Sequence, residues 1–327
     1  MISRRLVRIK ALQSLYSFQQ GESLSDFQWP TLTPKQKTYF DDTLSHLIES
    51  IQQSHDFYLF LLDFPFQLSQ YLLEEQALEK AKFYPDQTKI RRLGLLDRMP
   101  LVKYLHRAVT GSQRKSFAFD WNQLSAQLDT FYQWMQEWDF VNDIDFFEQP
   151  TFEQQQAFLE EFYVNLFETK ESFFDTLNDY YPGWSDDELY TTREIEKTIQ
   201  GAQSNGTVPV ASSPSPNSEE VELAQQLFTT TAKNSLAYES QISEISDNWD
   251  PSRIAVMDLL IIKLTLTEFL HCPTIPVKVT INEYLEITKN YSTPNSSRFV
   301  NGVLDKLRIV MEDQGMISKS GRGLRDK

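Results

Sequence analysis

Residues 249–307 constrain the fold more than any other part of the sequence, because they carry the pattern of three successive helices. The first helix is predicted to start at Asp250, a capping carboxylate, followed by Pro251, whose missing N–H costs nothing in a first turn. Pro273 and Pro276 are predicted to end it, since proline cannot continue a helix interior. Between them apolar residues recur at steps of three and four, as one buried face requires. They are Ile254, Met257, Leu260, Ile261 and Leu264.

The second and third helices of this stretch have their own start signals. Thr280 and Glu283 fit a capping box, which would begin the second helix. Three capping residues, Asn295, Ser296 and Ser297, precede the third. The apolar residues of the third helix again follow helical spacing, and they are Phe299, Val300, Val303, Leu304, Leu307 and Val310. These patterns predict an all-α fold.

Length and composition set the limits of that fold. The chain has 327 residues, which is enough for two modest domains or for one domain with a large insertion. Its 23 Phe, 14 Tyr and 6 Trp can fill cores, so wholesale disorder is not expected. Only 10 glycines argue against sandwiches and barrels, which need many tight turns.

Several functional classes lack their signature in this sequence. There is no phosphate-binding loop and no glycine fingerprint for a dinucleotide, and the four histidines lack metal-ligand spacing. The single cysteine, Cys272, excludes an internal disulfide and a cysteine-based zinc site, and it suits a reducing cytoplasm. No apolar run approaches a membrane span, and no signal peptide is recognised. We therefore expect no enzyme, cofactor, metal, membrane or small-molecule substrate, and a cytoplasmic location.

The net charge of −15 is distributed unevenly along the chain. Residues 1–20 carry four basic side chains and no acidic ones, and residues 250–327 carry a net charge of +2, so residues 21–249 carry −21. Phosphate contacts need Lys or Arg, and an acidic middle leaves both ends available to an anionic partner.

The chain divides by composition into five segments. Residues 1–20 are predicted to form a basic helix that packs on the C-terminal domain. Residues 21–200 read as an acidic insertion, with helices from about 35 to Pro65, then over about 66–83, 121–139, 151–180 and 185–200, and with 84–115 as the least regular part. Residues 201–218, rich in Ser and Pro, are predicted to be a flexible linker. A helical domain over 219–312 and a basic tail over 313–327 complete the chain.

Two features of the insertion leave alternatives open. Trp184 and Trp249 are each followed by an acid and a helix, so the insertion is either a diverged half-repeat or a chance likeness of helix pairs. Basic residues over 84–115 suggest an RNA patch, but the leucines beside them favour packing under a solvated face. The basic residues are Lys89, Arg91, Arg92, Arg98, Lys103 and Arg107, and the leucines are Leu93, Leu95, Leu96, Leu101 and Leu105.

The first helix, predicted over 3–20, combines a basic start with an apolar continuation. At about 100° per residue, Arg4, Arg5 and Arg8 fall within one arc of about 100°. The residues predicted to enter the core are Leu12, Leu15, Tyr16 and Phe18. The arc is either an ordinary solvated first turn or a site for an anionic partner.

Four strings in this chain resemble the NusB transcription-antitermination family. Residues 275–277 (IPV) and 281–283 (INE) resemble that family's turn into a helix, and 297–305 (SRFVNGVLD) resembles its last helix. Glu268 matches a family acid, and residues 4–16 (RRLVRIKALQSLY) resemble the opening helix. The resemblance covers about the first twenty residues and roughly 219–310. It implies a NusB-like helical bundle, here with a long and mostly helical insertion.

The resemblance also implies a function and a set of site residues. It implies a non-catalytic RNA-binding antitermination factor that acts with the ribosomal protein NusE on boxA-like RNA, within the transcription elongation complex, in ribosomal RNA transcription. The RNA residues it implies are Arg4, Arg5, Arg8, Lys10, Asn295, Arg298 and Phe299. Leu6 and Ile9 depart from the family pattern, and core packing is the alternative for Phe299. Asp258 and Lys263 are the expected partner contacts. The alternative function is a protein–protein scaffold that binds no RNA.

Overall fold

The computed structural model describes residues 2–21, 29–112, 121, 125–141, 148–169, 171–178, 181–245, 251–321 and 324. All regular structure in these ranges is helical and none of it is β-strand, which confirms the predicted all-α fold. None of the helices in these ranges has the length and apolar character needed to span a membrane.

Fourteen α-helices are assigned within the described ranges. They are α1 (Arg4–Gly21), α2 (Pro34–Leu62), α3 (Phe64–Lys80), α4 (Gln87–Leu93), α5 (Pro100–Gly111), α6 (Ser125–Met135), α7 (Phe152–Thr169), α8 (Glu171–Asn178), α9 (Trp184–Gly201), α10 (Glu219–Lys233), α11 (Ser235–Ile245), α12 (Val256–His271), α13 (Val277–Tyr291) and α14 (Ser296–Asp313). Short 3₁₀ helices lie at Leu96–Arg98, Asp139–Val141 and Pro251–Arg253.

The chain folds into two compact units. Unit 1 comprises residues 52–213, and unit 2 comprises residues 2–51 together with 214–327. The boundaries therefore differ from the predicted ones at 20/21 and 218/219. The first part of α2 belongs to unit 2 because Phe40 packs against Phe18 of α1 and Phe228 of α10, with ring centroids 5.9 and 5.2 Å apart. Much of the predicted linker belongs to unit 1, where the Ala211 N–H donates to the Tyr58 hydroxyl at 3.4 Å.

The core of unit 2 is built around α12, which is buried on all sides from Asp258 to Phe269. Helix α1 packs along α10 and also contacts α12, so residues at the two ends of the sequence share one core. Helices α13 and α14 pack against each other and against α12. The tail after α14 is held at 319, where the Lys319 ammonium donates to the carbonyls of Glu268 and Cys272 at the end of α12, each at 3.0 Å.

The core of unit 1 is aromatic. The Trp121 ring stacks on Phe60 and Phe64, at centroid distances of 4.1 and 5.0 Å. Phe131 of α6 packs against Phe64 and against Phe162 of α7, so the aromatic stripe predicted over 121–139 fills a core here. Such a stripe gives unit 1 an interior of its own, separate from that of unit 2.

The part of unit 1 that the sequence marks as least regular contains two helices, α4 and α5. Asp86 caps α4 by accepting hydrogen bonds from the backbone N–H groups of Thr88 and Lys89, and Pro100 occupies the first turn of α5. The five leucines beside the basic residues are each at most 1% exposed, so they pack as predicted. The segment predicted to be least regular is therefore largely helical, because capping and burial stabilise α4 and α5 despite a weak local periodicity.

Three details of unit 2 also differ from the sequence analysis. The α-helix of 249–271 begins at Val256, after a single 3₁₀ turn at Pro251–Arg253, and Trp249 and Asp250 lie outside the described residues. Helix α13 begins earlier than predicted, at Val277, so Thr280 and Glu283 lie past its start and do not form a capping box. Tyr16 of α1 is 39% exposed and does not enter the core. The half-repeat stays a prediction, since Trp249 is not described.

Candidate nucleic-acid interface

Arg8, predicted to lie on an exposed arc, is an interior residue of unit 2. Its side chain is 2% exposed and faces the fully buried carboxylate of Glu268 on α12. Nε donates to Oε2 at 2.8 Å and Nη2 donates to Oε1 at 2.7 Å, a bidentate pair. Burial alone would lower the pKa of Arg8, but the hydrogen bonds that it donates to Glu268 raise the pKa above its ordinary value. The guanidinium therefore stays charged.

Residues of α13 complete the surroundings of this ion pair. The Thr280 hydroxyl donates to Oε1 of Glu268 at 2.7 Å. The Tyr284 ring lies 5.8 Å from the guanidinium carbon of Arg8, within cation–π range. One arginine of α1, one glutamate of α12 and two residues of α13 thus form a single buried polar cluster. The structure corrects the placement of Arg8 and of Lys10, which is only 4% exposed, because both side chains lie on the packed side of α1.

The other two arginines of α1 remain near the surface, but both are paired with carboxylates. Arg5 binds Glu283 of α13 bidentately, at 2.8 and 3.0 Å, and its side chain is 40% exposed. Hydrogen bonding to the Glu283 carboxylate, which accepts from Arg5, raises the pKa of Arg5. Arg4 forms a single contact of 3.3 Å with Glu219 of α10, and both side chains are exposed. The basic start of α1 is therefore largely neutralised within the protein.

Asp258, an expected partner contact, is 4% exposed and organises the start of α14 instead. Its carboxylate accepts a hydrogen bond from the Ser292 hydroxyl at 2.5 Å and another from the Ser296 hydroxyl at 2.8 Å. The Ser296 hydroxyl also meets that of Thr293 at 2.7 Å. This network ties the first turn of α12 to the loop before α14. The structure corrects the expected partner contact at Asp258, because the carboxylate is enclosed by its serine donors.

Lys263, the second expected partner contact, is also interior. Its side chain is 1% exposed, and its ammonium donates to the Ser235 hydroxyl at 2.7 Å and to Glu239 at 2.5 Å. Burial lowers the pKa of Lys263, and Glu239 acts in the opposite direction. The Lys263 side chain joins α12 to α11. The structure therefore corrects the expected partner contact at Lys263 as well.

The start of α14 is the part of the predicted site that faces solvent. Asn295 occupies the N-cap position without a side-chain capping bond, and it is exposed, as is Arg298. Phe299 is half-buried, which leaves part of its ring accessible. Asn295, Arg298 and Phe299 thus remain together at a helix N-terminus, where backbone N–H groups favour an anion.

A groove between α13 and α14 extends this surface. It is lined by Asn282, Leu285, Glu286, Lys289, Ser297 and Arg298. Lys289 pairs with Glu286 at 2.5 Å, and Glu286 is close enough to Arg5 to raise its pKa. A polar surface therefore runs from Arg5 across α13 to Arg298, and we call it the α13–α14 face. Lys289 is not among the predicted site residues, although residues 282, 285, 286 and 289 follow the i, i+3, i+4, i+7 spacing of one helical stripe.

Two further observations concern metal binding and the reactivity of the cysteine. Among the described residues, no group of three or more His, Cys, Asp and Glu is placed to hold a metal ion. Cys272 is 4% exposed, and burial raises the pKa of its thiol to about 12. A thiol with such a pKa stays protonated near neutral pH and is a poor nucleophile.

Unit 2 is built of packed helices, and its α13–α14 face is a polar surface beside the start of α14. These two features define the class: an all-α protein with a polar surface at the start of a helix. Comparison with known proteins identifies the family: the NusB family model matches residues 187–308, and the chain belongs to the NusB family. The match begins within α9 and ends within α14.

Three relatives illustrate the similarity, and each is called a transcription antitermination protein NusB. The protein of Citrifermentans bemidjiense is 36% identical over 118 residues, which are 36% of this chain and 79% of the relative. That of Salinibacter ruber is 41% identical over 103 residues, 32% of this chain and 64% of the relative. That of Chloroherpeton thalassium is 38% identical over 101 residues, 31% of this chain and 48% of the relative.

The chain thus spans less than two thirds of the length of the Salinibacter and Chloroherpeton relatives. No solved structure matches the chain.

Proposed function

We propose that this protein is a non-catalytic transcription antitermination factor that binds boxA-like RNA together with NusE during ribosomal RNA transcription. Its similarity to proteins called transcription antitermination protein NusB supports the general function. The observation that carries RNA binding is the exposed start of α14, where Arg298 borders the groove between α13 and α14 and the half-buried Phe299 follows it in the chain. The proposal places the protein in the cytoplasm, in contact with the transcription elongation complex.

The α13–α14 face can serve RNA in two ways. Arg298 offers a cation to phosphates, and the N-terminus of α14 adds backbone N–H groups. Lys289 can contribute a second cation by exchanging Glu286 for a phosphate. Phe299 offers a ring on which an unpaired base can stack, and Asn295 offers an amide to a base edge. Arg5 and Arg4 lie at the margin of this proposed site, and each must exchange a carboxylate partner for a phosphate in order to contribute.

The buried residues of the predicted site support this surface and do not contact RNA in the proposal. Arg8 fixes α1 against α12 through Glu268, and Asp258 fixes the start of α14 through Ser296. Lys263 holds α11 in the same way. NusE would therefore bind exposed residues of unit 2 other than Asp258 and Lys263.

A protein–protein scaffold without RNA affinity is the second candidate, and one observation favours it. Arg4, Arg5 and Lys289 all have carboxylate partners within the protein, so the net positive charge offered to a phosphate is small. The two candidates differ in salt dependence. RNA binding weakens steeply as salt rises, because phosphate contacts release counterions, whereas a scaffold would bind its protein partner without that dependence.

The test is titration of labelled boxA-like RNA with the full chain, with and without NusE, at several salt concentrations. We compare the parent with Arg298→Glu and use Arg193→Glu as the matched control, since Arg193 is an exposed arginine of α9 in unit 1. The expected result is weaker RNA binding for Arg298→Glu only, with a shallower salt dependence. Equal RNA affinity in all three proteins, or NusE binding without any RNA affinity, would contradict the proposal.

A further inference from the structure

One segment of unit 1 reverses the charge of its surroundings. Unit 1 carries 13 basic and 26 acidic residues, a net charge of −13. Eight of its basic residues and only two of its acidic ones lie within residues 80–107, which therefore carry +6. This segment begins at the end of α3 and runs through α4 and most of α5. An isolated basic zone on an acidic unit is the electrostatic pattern of a local anion-binding surface.

Two aromatic rings project into solvent at the start of this zone. Phe83 and Tyr84 lie in the turn between α3 and α4 and are 88% and 85% exposed. Their ring centroids are 4.7 Å apart and the ring planes are perpendicular. Large rings at such exposure keep apolar area in water, which is unfavourable. Two adjacent rings left outside a core rich in aromatics are therefore available to an external planar group.

The turn that carries these rings is anchored by one buried carboxylate. Glu79, 4% exposed, accepts hydrogen bonds from the Lys82 ammonium at 2.8 Å and from the Asp86 backbone N–H at 3.3 Å. The Lys89 ammonium lies 3.3 Å from the same carboxylate. The hydrogen bond from Lys82 lowers the pKa of Glu79 to about 2, so the anchor is ionised near neutral pH. Asp86 in turn caps α4.

These contacts place cations directly at the base of the aromatic pair. Lys82 precedes Phe83 in the chain, and Lys82 and Lys89 meet at one carboxylate oxygen of Glu79. Lys80, at the end of α3, is exposed. Its ammonium donates to the neutral side-chain amide oxygen of Gln76, also in α3, at 2.7 Å. The turn thus combines stacking surfaces with a positive base, and this combination is the one that single-stranded nucleic acid uses.

We propose that the α3–α4 turn is a second RNA-contact site, at which Phe83 and Tyr84 stack on unpaired bases while Lys80, Lys82 and Lys89 attract the phosphates. This inference extends the proposed RNA-binding function to unit 1. The turn lies outside residues 187–308, which match the family, so it can fail while the α13–α14 face still binds RNA. Contacts of this kind follow the backbone and the base faces, so the site would read little sequence.

Charge is the reason to favour RNA over a protein partner. Protein–protein interfaces are depleted in lysine, whereas Lys80, Lys82 and Lys89 lie close in sequence to the two rings. A nucleic-acid strand supplies planar groups and also negative charge, and the turn's own carboxylates, Glu79 and Asp86, are fewer than its three lysines. A protein partner would instead use the rings as an apolar anchor, and that alternative is one outcome of the test.

The test measures the binding of a fluorescein-labelled oligouridylate of about 12 nucleotides, matched to the site size of such platforms. The full chain is compared with the pair Phe83→Ala/Tyr84→Ala and with the pair Phe83→Leu/Tyr84→Leu. The leucine pair keeps apolar surface but removes the ring faces. The matched control is Val164→Ala/Leu189→Ala, which truncates two exposed apolar residues of unit 1. All four positions are solvent-exposed, so each variant is expected to fold, and circular dichroism checks this.

We expect both the alanine and the leucine pair to bind the oligouridylate at least about fivefold more weakly than the parent, with the control unchanged. Parent-like binding by the alanine pair would overturn the proposal. Parent-like binding by the leucine pair would also overturn it and would make the turn an apolar docking surface for a protein. Failure of the parent to bind the oligouridylate would overturn it as well.

A fourth variant separates this inference from the proposed function. Arg298→Glu is expected to weaken boxA-like RNA binding and to leave the difference between the parent and the Phe83/Tyr84 variants intact. If the turn variants behave like the parent while Arg298→Glu still loses boxA-like RNA, the second site is refuted and the proposed function stands. If Arg298→Glu still binds boxA-like RNA but the turn variants lose binding of the oligouridylate, the second site stands and RNA binding by the α13–α14 face is refuted.

Discussion

The starts of α1 and α14 look alike in the sequence and differ in the folded protein. Both place arginine near a helix N-terminus, and both are predicted from the sequence to contact RNA. In α1 the arginines are bound by carboxylates, with Arg8 buried against Glu268. In α14 the arginine, Arg298, is exposed beside an accessible aromatic ring. The difference is set by which helices pack on each start, because α1 faces α12 and α13 with their glutamates.

This comparison shows that a basic cluster at a helix start has two separate uses. Arg8 and Glu268 are two hundred and sixty residues apart, and their bidentate pair joins the two ends of the sequence. A buried ion pair of this kind can specify which helix packs where, even when its net contribution to stability is small. Arg298 has no such role, so its charge remains available to a phosphate.

The largest effect is expected for Arg8→Ala. Removal of one partner from a buried ion pair leaves an uncompensated charge and costs about 3–5 kcal/mol of unfolding free energy. Urea unfolding measures this, and Arg298→Ala, an exposed arginine, is the matched control with an expected change near zero. If Arg8→Ala unfolds at the urea concentration of the parent, the Arg8–Glu268 pair is not a structural link.

A smaller loss of stability is expected for Asp258→Ala. Its carboxylate accepts two serine hydroxyls, and hydrogen bonds to charged groups contribute about 1.5–3 kcal/mol each. We expect a loss of about 2–3 kcal/mol, because Ser296 keeps its contact with Thr293. Asp258→Asn retains one acceptor oxygen and should recover part of the loss. Equal stability of Asp258→Ala and the parent would show that the start of α14 does not depend on this carboxylate.

The sequence predicts the local parts of this site and misses the long-range ones. Capping residues and apolar spacing predict a helix that begins near 295–297, where α14 starts, and the leucines beside the basic segment of unit 1 predict its packing. The pairing of Asp258 with Ser296 joins residues 38 positions apart, and no local pattern encodes it. For the same reason a helical arc that holds Arg4, Arg5 and Arg8 says nothing about the glutamates that meet it.

The choice of unit boundary has a similar physical cause. The sequence separates 1–20 from 21–200 by charge, whereas the fold keeps residues up to 51 with unit 2. Net charge reports the solvated faces of a helix, and Phe40 on the opposite side of α2 decides which core the helix joins. Composition therefore predicts the acidic surface of the middle segment better than its boundaries.

The third prediction concerns Phe299→Ala, which separates stacking from packing. Phe299 is half-buried, so its truncation should cost less than the about 3–5 kcal/mol of a fully buried phenylalanine. Loss of a base stack should cost about 1–3 kcal/mol of RNA affinity. The measurements are urea unfolding and titration of boxA-like RNA on the same variant. A large stability loss with unchanged RNA affinity of the folded fraction would assign Phe299 to the core.

A fourth and smaller change is expected for Arg298→Ala. One lost phosphate contact should lower RNA affinity at low salt and reduce the slope of log affinity against log salt by about one. Titration at three or more salt concentrations gives this slope. An unchanged slope, with folding intact, would mean that Arg298 points to solvent without meeting a phosphate.

The smallest change is expected for Arg4→Ala. Its pair with Glu219 is exposed on both sides, and such pairs contribute about 0–1 kcal/mol. The slope of RNA binding against salt should change by less than it does for Arg298→Ala, because Glu219 already holds the guanidinium. Arg193→Ala serves as the control. If Arg4→Ala weakens RNA binding more than Arg298→Ala, the start of α1 and not the start of α14 is the dominant RNA contact.

The central claim is that the start of α14 touches RNA, and ultraviolet crosslinking to boxA-like RNA containing 5-iodouridine tests it most directly. Trypsin cleaves after Arg298 and Lys306, so the peptide 299–306 isolates Phe299 from the rest of the site. We expect crosslinked RNA on this peptide in the parent, and its loss when excess unlabelled boxA-like RNA competes. A complex whose crosslinks lie elsewhere, with none on 299–306, would show that the start of α14 does not touch RNA.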